Sequence, residues 1–226
     1  MDDLKFTTCG DFIDSQERTI AFLPLDIPKI DFDIDLIESH DFEKHTLWPD
    51  TWNCLPILGK TTKFDQPSFH EAWVNRKEPG EVHVNPAVDK QLAHDILNLL
   101  YQMPFECTSA QILNQQEYVI AHKDAIDYSG PMPKQIEPQG FKILLNPTLE
   151  RSFFVAKEED SKREFVRMPE TTNCFVINEN DFYHGAKVPK KPKYLVSCFG
   201  DVDSVDHKEL IDRSLDEYGE EYGIFF

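Results

Sequence analysis

The chain has 226 residues, enough to bury a sizeable core without disulfide or metal staples, in one large domain or two small ones. Its 41 acidic against 23 basic residues leave a formal charge of −18, a surface that repels phosphate backbones and anionic lipid heads and argues against non-specific nucleic-acid or membrane binding. Hydrophobic residues at 40%, with 17 Phe, make a globular composition, and collagen, coiled-coil and solenoid patterns are excluded.

Residues 1–6 lack the basic region and apolar run of a secretory leader, and no stretch approaches the roughly 20 apolar residues of a membrane span. Cys9, Cys54, Cys107, Cys174 and Cys198 are odd in number, scattered and without a CxxC pair. Free thiols in a reducing compartment fit this pattern, so a cytoplasmic protein is expected.

In chain order, Pro24, Pro28, Pro49, Pro56, Pro67 and Pro79 punctuate the first 80 residues. Residues 30–36 alternate apolar and acidic, which predicts a half-buried strand. This N-terminal part, residues 1–85, is expected to wrap the main body as edge strands and long loops. A helix is predicted over 86–102, with Asn85 as its cap, Pro86 in the first turn and Asp89 at the positive end of the dipole. Val88, Leu92, Ile96 and Leu99 give it one apolar face, and Pro104 stops it. Strand-like runs follow at 117–122, 141–145, 152–156, 164–167, 174–178 and 193–199, separated by turn-prone segments that include 178–181 and 185–192. The spacing predicts an antiparallel sandwich or barrel with the helix packed outside, and strands and helices do not alternate as a doubly wound sheet requires. A second helix is predicted at 207–217 on Leu210, Ile211 and Leu215, and the acidic stretch 216–221 reads as a solvated tail.

The chemistry concentrates in Tyr118-Val119-Ile120-Ala121-His122-Lys123-Asp124. With a side-chain period of two, His122 and Asp124 share a face of the strand, and Tyr118 shares it with them. A second histidine, His184, follows 62 residues later, just after the 174–178 strand and at the entrance to the next. Two histidines and one carboxylate on a divalent ion leave open positions, the arrangement used by non-haem iron(II) oxygenases. Nine residues on, Lys193 opens the last strand on the face of Leu195, Ser197 and Phe199. There its ammonium could pair with the far carboxylate of a dicarboxylate 2-oxo acid whose other end chelates the metal. Lys142 and Lys191 are the next cations in line. His40, His45, His70, His83 and His94 show no ligand spacing, and Trp48, Trp52 and Trp73 fill core or line a cleft.

With those residues in hand, the sequence resembles the 2-oxoglutarate/iron(II)-dependent oxygenases, in the branch of the prolyl hydroxylases and aspartyl/asparaginyl β-hydroxylases. The matching parts are His122-Lys123-Asp124, the distal His184, and Lys193 where the family more often has arginine, with 141–145 and 172–178 as core strands. The resemblance covers about residues 86–200. It implies a mainly β double-stranded β-helix (jelly roll, cupin-like) with flanking helices, a single domain over 1–226 whose last part, 201–226, is helix and acidic tail. It further implies Fe(II) on His122, Asp124 and His184 and 2-oxoglutarate as co-substrate on Lys193. Tyr118, on the face of His122 and Asp124, either donates its hydroxyl to that co-substrate or packs in the core. The implied reaction is hydroxylation of a protein side chain, an amino acid or a small metabolite with dioxygen, yielding succinate and carbon dioxide. Two other readings stay open: a cupin-like binding or structural domain with a vestigial metal site, and a zinc or manganese hydrolase.

Overall fold

The computed structural model describes residues 18–45, 49–62, 64, 80–123, 139–144, 152–179, 181–202 and 204–226. In chain order the elements are β1 (Ile20–Pro24), α1 (Ile34–Glu38), β2 (Glu43–Lys44), β3 (Trp52–Gly59), β4 (His83–Val84), α2 (Lys90–Leu100), β5 (Phe105–Gln115), β6 (Val119–His122), β7 (Gln139–Leu144), β8 (Phe153–Ala156), β9 (Glu164–Phe165), β10 (Cys174–Ile177), β11 (Tyr183–Ala186), β12 (Lys193–Val202), α3 (Ser204–Ser214) and β13 (Ile224–Phe225). The protein is mainly β. A large sheet runs in the order β13-β1-β10-β7-β12-β5-β3-β2, with β4 beside β3, and a small sheet runs β6-β11-β8-β9. The paired strands are antiparallel throughout the described residues.

Two apolar layers follow from strand alternation. On one face of the large sheet, Leu55, Ile57, Ala110, Ile112, Val176 and Val196 meet Leu92, Ile96 and Leu99 of α2 and Leu210 and Ile211 of α3. On the other face, Phe22, Phe175, Ile177 and Leu195 pack with Val119, Phe153, Val155 and Ala186 of the small sheet. Phe175 lies 5.3 Å from Phe22 and 6.2 Å from Phe153 between ring centroids. Each fully buried large side chain contributes about 1.5–3 kcal/mol, so this inter-sheet layer holds the small sheet in place. Among the described residues of 117–200 the strands are antiparallel and lie in two sheets with an apolar layer between them, and the predicted helix face of Val88, Leu92 and Ile96 packs in the cluster on the outer side of the large sheet. Among the described residues no helix is long and apolar enough to cross a membrane, and the described cysteines form no disulfide.

Several expectations are corrected. Residues 30–36 are not a strand: Asp33 accepts from the Leu36 N–H and caps the short helix α1, while both backbone groups of Ile30 bond to the Asn173 side chain. A carboxylate that caps offers the backbone an alternative to pairing. Helix α2 is capped by Asp89, which accepts from Gln91 and Leu92 N–H. Asn85 instead donates to Pro56 O and accepts from Ala87 N–H, building the turn before the helix. The N-terminal part supplies β3, an eight-residue strand within the large sheet. Pro56 is accommodated there because the register with β5 shifts between Pro56 and Leu58.

The acidic stretch 216–221 is no tail. After α3 the backbone makes a π-helical turn (Leu215–Gly219) that buries Tyr218, whose hydroxyl bonds Thr171, and then returns as β13 alongside β1. The carboxylates themselves are exposed. The apolar anchors Tyr218, Ile224 and Phe225 decide the path.

Candidate metal centre and anion pocket

His184 lies inside strand β11, not in a loop before the next strand. Asn178 closes the turn that starts this strand: its amide donates to Asp181, its Oδ1 accepts from Asp181 N–H and its carbonyl accepts from Phe182 N–H. β11 runs antiparallel to β6 with His184 directly opposite His122 and Ala186 opposite Val119. Between these pairs, Gly185 alone on β11 faces two residues, Ile120 and Ala121, on β6. The extra residue is a β-bulge, and it brings Val119 and His122 to the same inner face. The rings of His122 and His184 stand 4.3 Å apart between centroids. Imidazoles bound at about 2.1 Å and a right angle to one first-row ion bring their centroids to about 4.5 Å. The separation of the two rings is in the range that a shared metal ion requires.

The protonation pattern fits as well. His122 Nδ1 lies 2.8 Å from the Ile120 carbonyl, and a carbonyl only accepts. The proton therefore sits on Nδ1 and the lone pair on Nε2, the nitrogen that can ligate. His184 is buried at 6% exposure, with the Phe153 ring 6.3 Å away. The third expected ligand, Asp124, lies outside the described residues, and within them no three His, Cys, Asp or Glu groups converge on one point.

Gly185, between the bulge and Phe154, allows this close approach. A Cβ there would stand 2.6 Å from Phe154 Cζ, 2.7 Å from Val119 O and 3.1 Å from Ile120 O. Two of those atoms are bulge backbone and cannot swing away. Gly185→Ala is therefore expected to cost about 1–3 kcal/mol of stability and to loosen divalent-metal affinity, because relief of the clash must move β6 against β11. A variant with unchanged melting temperature and metal affinity would show that the bulge does not hold the pair.

Lys193 is 3% exposed. Its ammonium lies 5.1 Å from the Phe153 ring centroid, the same ring that neighbours His184, and donates to Gln115 Oε1 at 3.0 Å. Among the described residues no carboxylate lies within ion-pair distance of it. Burial lowers its pKa from the usual 10.5 to about 8, since desolvation disfavours the charged form. Lys193 is opposite Gln115, and Gln115 is opposite Trp52. Directly opposed residues share a face, so a row of Trp52, Gln115 and Lys193 crosses three strands at one end of the inter-sheet space. Trp52 is half-buried and packs on the inter-sheet cluster.

Tyr118 lies away from this row. Its hydroxyl accepts from Arg163, whose guanidinium stacks 4.6 Å from the Phe154 centroid on the outer side of the small sheet. The bulge breaks the alternation that placed Tyr118 with His122. Lys142 pairs through its backbone with Ser197. His40 ties α1 to α2, bonding Leu36 O through Nδ1 and accepting Asp89 N–H at Nε2. Burial pushes His45 down to about 4. Gln115 escaped the sequence reading; its only signal is a polar residue at the inward end of a strand.

No protein-family model matches the chain, and no curated protein matches its sequence. Solved structures similar to it include an oxidoreductase of the 2OG-Fe(II) oxygenase family from Burkholderia pseudomallei, at 13% identity and a TM-score of 0.39, covering 75% of this chain and 78% of that one. A prolyl hydroxylase from Trichoplax adhaerens, in complex with a hypoxia-inducible-factor peptide, matches at 13% identity and a TM-score of 0.40, covering 78% and 77%. HygX from Streptomyces hygroscopicus, with nickel, 2-oxoglutarate and hygromycin B bound, matches at 15% identity and a TM-score of 0.40, covering 80% and 83%.

Proposed function

We propose that the chain is a 2-oxoglutarate- and iron(II)-dependent dioxygenase, a single domain on a double-stranded β-helix. The observation that carries this is the opposed pair His122 and His184, with the buried Lys193 ammonium one aromatic ring away. Successive strands β5 to β12 divide between the sheets so that β5, β7, β10 and β12 lie in one and β6, β8, β9 and β11 in the other, in keeping with a jelly roll. His122 and His184 would hold iron, with Asp124 as the carboxylate ligand. Iron(II) would supply chelation of a 2-oxo acid and activation of dioxygen.

The chain's own residues then have separate tasks. The Ile120 carbonyl fixes the tautomer and orientation of His122. Lys193 meets the far carboxylate of the co-substrate, the counter-charge that a buried ammonium requires. Phe153, between the two, is apolar and keeps water from the path joining histidine and ammonium. The primary substrate belongs to the protein side chains, amino acids or small metabolites, because the −18 charge disfavours polyanions.

The test is metal analysis of the purified protein, together with succinate formation from 2-oxoglutarate under air with Fe(II). Screening of candidate substrates by mass spectrometry for a gain of one oxygen follows. Stoichiometric iron and succinate are expected. Protein that takes up 2-oxoglutarate but neither binds iron nor forms succinate would instead be a binding module.

A further inference from the structure

Gln115 is 2% exposed and uses every polar atom of its side chain. Nε2 donates to Glu117 O at 2.8 Å and to Lys187 O at 2.9 Å, and Oε1 accepts from Lys193 at 3.0 Å. The amide cannot be turned over without setting its oxygen against two carbonyls, so the oxygen is committed to the ammonium. Glu117 precedes β6 and Lys187 follows β11, so one side chain of the large sheet grips both strands that carry the histidines. The acceptor is also neutral. A carboxylate in its place would pair with the ammonium and leave no charge for a ligand.

We propose that Gln115 is the positioning residue of the anion pocket: a neutral amide, oriented by two backbone carbonyls, that fixes the Lys193 ammonium and leaves its charge unmatched for the far carboxylate of a 2-oxo dicarboxylate. The inference rests on the functional reading above and adds to it a residue that selects dicarboxylate over monocarboxylate 2-oxo acids. Gln115 touches neither ligand nor metal; it acts through Lys193. Its amide fixes where the charge stands relative to the histidine strands, and hence the length of 2-oxo acid that spans them.

The test is calorimetric titration of 2-oxoglutarate, and separately of pyruvate, into the Mn(II)-loaded full chain. Wild type is compared with Gln115→Glu, Gln115→Met and Lys193→Ala, with Mn(II) affinity and melting temperature recorded for each. Gln115→Glu is expected to weaken 2-oxoglutarate by about 50-fold or more, because the anion must displace an internal ion pair. Pyruvate, which has no far carboxylate, is expected to stay within about threefold, so the preference for the dicarboxylate collapses. Gln115→Met, which keeps the volume and loses the hydrogen bonds, is expected to weaken 2-oxoglutarate by about 5- to 10-fold, and it carries the test if the glutamate variant does not fold. A purely structural role would lower melting temperature and weaken both acids alike, and that result overturns the proposal. If both Gln115 variants keep 2-oxoglutarate within twofold while Lys193→Ala loses it, the proposal is overturned and the dioxygenase reading stands. If wild type takes up no 2-oxoglutarate at all, that reading fails and the role of Gln115 with it.

Discussion

Replacing His184 with alanine is expected to lower iron affinity by at least about 100-fold and to abolish succinate formation, with both sheets still folded. Even partners that only orient a metal ligand cost 10- to 100-fold when removed, so loss of a ligand itself sets that figure as a floor. His122→Ala is expected to do the same, and the double variant no more than either single one, because each change already destroys the site. The fold is expected to survive. His184 lies against Phe153 between two strands whose pairing is made by backbone, and the apolar inter-sheet layer around it stays intact. Dialysis against Fe(II) with metal analysis, beside a thermal melt, separates the two effects. Unchanged iron affinity in either variant would remove the histidine pair from the site.

The second large effect concerns Lys193. A charge-assisted bond is worth roughly 1.5–3 kcal/mol, so Lys193→Met is expected to raise the KM for 2-oxoglutarate by about 10- to 150-fold and to leave iron binding alone. Its effect on stability runs against that usual for buried residues. Burial lowers the lysine pKa from 10.5 to about 8, so below pH 8 the folded chain carries the charge at a cost of about 3 kcal/mol. Removing the ammonium recovers that cost, offset by about 1–3 kcal/mol for the Gln115 oxygen left without its donor. At pH 7 the variant is therefore expected to be at least as stable as wild type. The sign reverses with pH. Between about 8 and 10.5 the unfolded lysine stays protonated and the folded one does not, so wild type gains on the variant as pH rises through that window. Melting both proteins at pH 7 and pH 10 reads the difference, and a gap that does not change would mean that the ammonium is not destabilised by its burial.

The sequence made the short β runs legible because Phe141, Phe153, Phe175 and Tyr194 sit in stretches whose composition suits strands whatever their partners. The face of α2 was legible because Leu92, Ile96 and Leu99 repeat with the helix. The two candidate histidines came from residue chemistry and spacing, and their strands pair as neighbours. What failed was information held by partners. The β6 bulge exists only against β11, and alternation counted along β6 alone put Tyr118 on the wrong side. Strand β5 hid behind Thr108, Ser109, Gln111 and Gln115, polar residues that are buried; the partner of Gln115, Lys193, is 78 residues away. Residues 30–36 read as a strand because alternation takes no account of an aspartate that caps.

The same long-range pairing governs how the molecule forms. β5 finds its partners in β3 and β12, β1 in β10 and β13, and the two histidines reach each other only across an antiparallel pairing of β6 with β11. Local hairpins therefore contribute little early, and chains dominated by such distant pairings collapse to the native state in milliseconds to seconds, not microseconds. A half-assembled chain presents isolated imidazoles instead of a site. For the proposed iron site, loading would then follow folding, because the two histidines stand opposite each other only once β6 has paired with β11.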